Sequence, residues 1–176
     1  MTAIQTFDGP RAPLVFPCAV VIDSAEKLPF AFATIRADAK DERRPLLVPL
    51  VRGNLPCGDY SLEGMETRVA VERKSKTDLY QTLGRAHNRR KFIQYHIGPM
   101  HERYEFAAVV CEADWTELVT DPPEFTKVTP KTVFRTVMAW AVRYNRVQWF
   151  FCPGREFAEK VTFQLLEKYW RSTHVS

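Results

Sequence analysis

The sequence predicts an α/β domain in which helices cover a mixed central sheet, and three observations carry that prediction. Short apolar runs suited to buried strands recur at 18–23, 46–51, 106–113 and 146–153. The segment 59–74 alternates apolar and polar residues on either side of a turn, as a hairpin does. In the second half the apolar period changes to about 3.6, giving helices that interleave with the strands, a pattern that folds as a layered sheet.

Taken in order, residues 1–17 carry three prolines and no period, and read as an extended lead-in to a single domain over 18–176. CAVVID (18–23) is a strand ending in a carboxylate. A short helical segment is expected at about 29–39, running into a charged stretch from Arg36 to Pro45. LLVPLV (46–51) is a second strand, which Pro49 consigns to a sheet edge. DYSLEG and TRVAVERK form the hairpin, turning at Glu63-Gly64. Leu79 and Leu83, then Phe92, Ile93, Ile97 and Met100, mark helix interrupted near Gly84. FAAVVCEA (106–113) is the clearest central strand. Thr129 caps a helix with Pro130 at its first position and its end near Tyr144. RVQWFFCP is the last strand, and Arg155–Trp170 is an amphipathic helix with Phe157, Val161, Leu165 and Leu166 on one side.

The 176 residues suit one compact domain. The excess of 25 Lys+Arg over 21 Asp+Glu, a net charge of +4, is too small to mark a nucleic-acid binder by itself. Cys18, Cys57, Cys111 and Cys152 are too widely spaced for a zinc finger, and three of the four sit in or beside apolar runs, as suits reduced, buried thiols. No basic segment leads into a long apolar stretch at the N-terminus, and no run of eighteen apolar residues occurs. An intracellular, cytoplasmic protein without a membrane span is therefore expected.

The residues that carry chemistry centre on the hairpin. Strand alternation puts Glu72 and Lys74 on one face, and Val71 and Arg73 on the other. Asp59 opens the neighbouring strand, so the hairpin brings two carboxylates and an ammonium together. Hard oxygen ligands of this kind hold Mg²⁺ or Mn²⁺, and such a centre suits phosphodiester hydrolysis, with Lys74 orienting water or offsetting charge on phosphorus. The competing reading is a solvated strand end where Glu72 and Lys74 neutralise one another. Asp23 and Glu26 end the first strand, where they either join the acidic site or cap the following segment. Asp78 either completes that site or favours the first turn of its helix. Arg85, Arg89 and Arg90, with Lys76, are candidates to hold DNA phosphates, against the alternative of a solvated basic helix end.

GD59…VERK74-x-x-x-D78, together with VID23-S-A-E26 upstream and Arg89-x-x-Phe92 downstream, resembles the signature of the XPF-type structure-specific endonucleases. VFRTVMAWAVRYNRVQWFFCP is similar to the late helix–strand pair of that family. The resemblance implies a restriction-endonuclease-like, PD-(D/E)XK-type fold and Mg²⁺- or Mn²⁺-dependent cleavage of DNA, often at branches, flaps or forks in repair or recombination. It implies metal ligation by Asp59, Glu72 and the Arg73 carbonyl, and a catalytic Lys74. Asp23, Glu26 and Asp78 would support the acidic site, and Arg89 would contact phosphate. It also implies pairing of two such domains, as a homodimer or heterodimer, for which the C-terminal helix at Arg155–Trp170 is the candidate face. Ala25 stands where the family usually has arginine, and the chain ends without a tandem helix-hairpin-helix module, as in stand-alone phage or bacterial members. A non-catalytic DNA-binding or scaffolding subunit, and a site-specific or junction-resolving nuclease of the same fold, are the alternatives.

Overall fold

The computed structural model describes residues 12–41, 43–124 and 126–174. Its strands are β1 (Leu14–Val15), β2 (Val20–Asp23), β3 (Leu46–Leu47), β4 (Leu50–Gly53), β5 (Tyr60–Leu62), β6 (Val69–Lys74), β7 (Phe106–Cys111) and β8 (Val147–Phe151). Its helices are α1 (Lys76–Gly84), α2 (Ala86–Phe92), α3 (Gly98–Arg103), α4 (Trp115–Thr120), α5 (Pro130–Arg143) and α6 (Arg155–His174), with a π-helical turn, Ile93–Ile97, between α2 and α3.

Six strands form one sheet in the order β4-β2-β5-β6-β7-β8, and β1 pairs with β3 alone. β5 is antiparallel to both β2 and β6, whereas β6, β7 and β8 run parallel, so the sheet is mixed. Helices cover both faces. Ala70, Ala107 and Val109 point toward Leu79, Leu83, Phe92 and Trp140, and Val69, Val71 and Val110 point toward Phe163 and Leu166 of α6. Val69, Ala70 and Val71 are all fully buried. Burying each valine stabilises the fold by about 1.5–3 kcal/mol, and β6 is thereby fixed at the centre with its charged end at the rim.

The hairpin, the helices from Lys76, the strand at 106 and the capped helix at 130 form where the residue pattern puts them, and Thr129 Oγ1 accepts the Thr132 N–H as the expected cap. Pro49 breaks the expected strand into β3 and β4, and β4 lies at the sheet edge. Residues 1–11 of the expected lead-in fall outside the described residues, and Leu14–Val15 of that segment is a strand.

The expected helix at 29–39 does not form. Phe30, Phe32 and Ile35 are buried by an irregular chain, and main-chain N–H groups that a helix would use are taken by distant side chains: Phe30 N–H by the Tyr60 hydroxyl and Phe32 N–H by Glu159. Phe32 sits at φ +52°, outside the helical region. α4 forms where no helix was expected, capped by Asp114. α6 rotates relative to the expected stripe: Ala158, Thr162, Phe163, Leu166 and Glu167 are buried and Phe157 is exposed. All four cysteines are free thiols.

Candidate active site

The site starts at Gly58. Its φ of +79° is the left-handed conformation that favours glycine, and a Cβ there would meet Ala70, Met100 and the Val71 carbonyl at 3.2 Å. The chain can therefore swing into β5 only with glycine before the aspartate. Asp59 N–H then donates to Val71 O at 2.9 Å, and Asp59 Oδ2 accepts the Arg73 N–H at 2.7 Å. These two bonds fix Asp59 beside the end of β6, as the hairpin requires, with Tyr60 registered opposite Val71.

Alternation along β6 holds to its end. Glu72 and Lys74 project to the face shared with Phe92, and Arg73 to the face of α6. Glu72 is only 2% exposed, and both its oxygens are occupied: Oε1 accepts from Lys74 Nζ and Oε2 meets His96 Nδ1, each at 2.9 Å. Lys74 Nζ also lies 4.7 Å from the centre of the Phe92 ring. Asp23, Glu26, Asp59, Glu72, Lys74, Asp78 and His96 all line one cavity of about 470 Å³.

The electrostatics of the two carboxylates diverge. Burial raises Asp59 well above the ordinary carboxylate range, and the charge of Glu72 pushes it further in the same direction. Burial acts on Glu72 likewise, but the attraction of Lys74 and the His96 contact outweigh it and hold that carboxyl below its usual value. Lys74 in turn is raised: burial opposes its charge, and Glu72 more than compensates. Glu72 is thus held ionised by its partners, whereas the surroundings of Asp59 favour its protonated form more than water would. Asp59 Oδ1 accepts no hydrogen bond among the described residues.

The remaining acidic residues have other partners. Asp23 Oδ2 accepts from Ala25 N–H at 3.0 Å and Oδ1 from Leu55 N–H at 2.9 Å, so it ties two loops together. Glu26 receives both arms of the Arg73 guanidinium at 3.2 Å; the same guanidinium reaches Glu112 at 2.9 Å, and Arg155 of α6 joins at 2.6 Å. The Arg73 side chain thus anchors a largely buried ion network, and Arg73 and Glu26 line the cavity as well. Asp78 accepts from Ser75 Oγ at the start of α1.

The basic candidates are dispersed. Lys76 pairs with Glu117 and Asp121, away from the carboxylates. Arg85 separates α1 from α2 and lines a different cavity with Gly84 and Asn88. Arg89 and Arg90 line a groove between α2 and α5, joined there by Arg135, over a floor containing Ile93 and Trp140. Among the described residues no carboxylate pairs with Arg85, Arg89 or Arg90.

His96 belongs to the site and was not among the expected functional residues. It lies 24 positions from Glu72 on another element. The one local hint was its place four residues after Phe92, on whose ring it stacks at 5.1 Å.

A family model described as the ERCC4 domain matches residues 22–165. No curated protein matches the chain. Among solved structures, XPF from Aeropyrum pernix superimposes with a TM-score of 0.58 at 20% identity, covering 89% of this chain and 66% of that one. A structure of XPF from Aeropyrum pernix in complex with DNA gives a TM-score of 0.55 at 18% identity, covering 90% of this chain and 68% of that one. The chain thus spans about two thirds of the length of the solved structures it matches, and shares their restriction-endonuclease-like fold. With the family model spanning most of its length and the sheet, helices and G-D…E-R-K hairpin in place, the chain belongs to the ERCC4 domain family, the XPF-type nucleases.

Proposed function

We propose that this chain is a divalent-metal-dependent DNA endonuclease that hydrolyses phosphodiester bonds at Asp59, Glu72 and Lys74. The observation that carries the reading is the meeting of two carboxylates, a buried Glu72 and an Asp59 bonded through one oxygen only, in one cavity with Lys74. The donor set fits Mg²⁺ or Mn²⁺. Among the described residues no three His, Cys, Asp or Glu side chains cluster as a metal cage, and two carboxylates with water making up the rest is how Mg²⁺ is commonly held. Asp59 Oδ1 and the remaining lone pairs of Glu72 would supply the protein ligands, with the Arg73 carbonyl as a third.

The bound ion would polarise the phosphoryl group and acidify water. Lys74, held by Glu72 against the Phe92 ring, keeps its charge at the cavity and can orient water or offset charge on phosphorus. The arginines of the α2–α5 groove would take up DNA phosphates beyond the cavity. Lys76, engaged by two carboxylates, would contribute little. The preferred substrates would be branched, flapped or forked DNA arising in repair or recombination, and the enzyme would act inside the cell. No helix among the described residues is long and apolar enough to cross a membrane.

The single domain over 18–176 would work as half of a pair. α6 packs its buried face on its own sheet, whereas α5 leaves Phe134, Met138 and Val142 exposed at spacings of four. Pairing through the late helices would therefore fall to α5, and light scattering of Val142→Glu against the parent chain tests it.

The decisive experiment incubates the protein with Mg²⁺ or Mn²⁺ and linear, nicked, flapped, forked and four-way DNA, with Glu72→Ala alongside. Glu72→Ala is expected to abolish cleavage and leave DNA binding largely intact. Undiminished nicking by that variant refutes the site.

A further inference from the structure

We infer that His96 is a positioning residue for Glu72, set in place by a π-helical turn that Gly98-Pro99 imposes. This inference rests on the nuclease reading for its consequence, though not for the contact itself.

The chain of cause begins at Pro99. It has no N–H to give Tyr95 O, and in a regular α-helix its ring would clash with that carbonyl. The backbone avoids the clash by widening: Gly98 N–H reaches back five residues to Ile93 O. The wide turn in turn requires glycine, because a Cβ at 98 would stand 2.5 Å from Ile93 O. The carbonyls of Tyr95 and His96 accept instead from Cys57 Sγ, at 3.4 and 3.3 Å, which ties the turn to the loop entering Gly58 and Asp59. One extra residue in a turn rotates the helix before it by about 100° relative to the helix after it, and widened turns of this kind recur at functional sites.

The result is a ring held by two contacts, one of them braced from behind. His96 stacks on Phe92, Phe92 stacks on Trp140 at 5.7 Å, and His96 Nδ1 meets Glu72 Oε2. Phe92 faces Lys74 as well, so one aromatic ring braces both partners of the buried carboxylate. With Lys74 on Oε1 and His96 on Oε2, the carboxylate of Glu72 cannot rotate. A carboxylate fixed in this way keeps one orientation in the cavity that it shares with Asp59. Partners that orient a metal-binding carboxylate typically change affinity or rate by about 10–100-fold when removed.

The test compares His96→Leu with His96→Asn, whose amide can donate from nearly the place of Nδ1. Mn²⁺ binding to DNA-free protein is measured by calorimetry, and kcat and KM on the best DNA substrate are determined. His96→Leu is expected to weaken Mn²⁺ binding and lower kcat by about 10–100-fold with KM for DNA unchanged, and His96→Asn to recover most of both. Wild-type Mn²⁺ affinity and kcat in His96→Leu overturn the inference, as does His96→Asn behaving like His96→Leu. The contact is read separately in metal-free protein by the melting temperatures of His96→Leu, Glu72→Gln and the double variant. Non-additive shifts support the pair, and additive shifts overturn it. A wild-type protein that binds no Mn²⁺ and cuts no DNA, with the melting shifts still non-additive, sinks the nuclease reading while the contact stands.

Discussion

Replacing Asp59 by asparagine should make the metal-free protein more stable while destroying its cleavage. The carboxylate is buried next to Glu72, and its pKa is raised by burial first and by the Glu72 charge second. Positions directly opposed on paired strands lie about 5 Å apart. Two carboxylates roughly 6 Å apart at an effective dielectric near 20 repel by about 3 kcal/mol. Lys74 offsets part of this, and asparagine keeps an oxygen for the Arg73 N–H, though the charge-assisted share of that bond, about 1 kcal/mol, is lost. The net gain is about 1–2 kcal/mol, or about 2–8 °C in melting temperature for a chain of this size. The gain should depend on pH. Asp59 keeps its proton to higher pH in the folded state than in the unfolded one, so stability falls as pH rises between those two values, and the cost is full above them. Below about pH 4 the carboxyl is protonated in both states and the advantage of the variant vanishes. Calorimetric melts in EDTA between pH 4 and 8, with cleavage assays beside them, measure both effects. A variant that melts below the parent at pH 7, or an advantage that grows as pH falls, refutes the reasoning.

The same geometry makes other perturbations informative. Arg73→Met strips two nearly buried carboxylates, Glu26 and Glu112, of their common partner, so it should cost about 3–5 kcal/mol in guanidinium unfolding. Gly58→Ala should destabilise the protein by about 1–3 kcal/mol through its positive φ and lower cleavage by shifting Asp59; an unchanged unfolding midpoint would contradict the conformational argument. Arg90→Ala combined with Arg135→Ala should weaken DNA binding and make the dependence of log K on log salt shallower by roughly 0.9 for each phosphate no longer neutralised, as read by fluorescence anisotropy. Lys76→Ala serves there as the comparison expected to change least.

Residue pattern alone was enough where the physics is local. The six residues of β6 alternate faces whatever surrounds them, so Glu72 and Lys74 on one side and Arg73 on the other were legible in the sequence. Asp59 beside them followed from the hairpin, since a short turn makes its two strands neighbours. Thr129-Pro130 announced a helix because capping depends on adjacent backbone groups. The family motif supplied the rest of the expected site in outline.

What the sequence could not decide was every partner drawn from far along the chain. The segment 29–39 looked helical by itself, and Tyr60 and Glu159 captured its N–H groups. Glu26, expected at the acidic site, lines that cavity and is also held by Arg73 through both oxygens; Lys76, expected at DNA phosphates, pairs with Glu117 and Asp121. His96 had only its spacing from Phe92 as a signal, and the turn at Gly98-Pro99 is what set it against Glu72. Strand alternation and hairpin pairing are short-range and survive in any fold that contains them, so the sequence determined that Asp59, Glu72 and Lys74 lie side by side. Whether a charge is free or already spoken for depends on which distant element packs against it, and only the tertiary structure determined that.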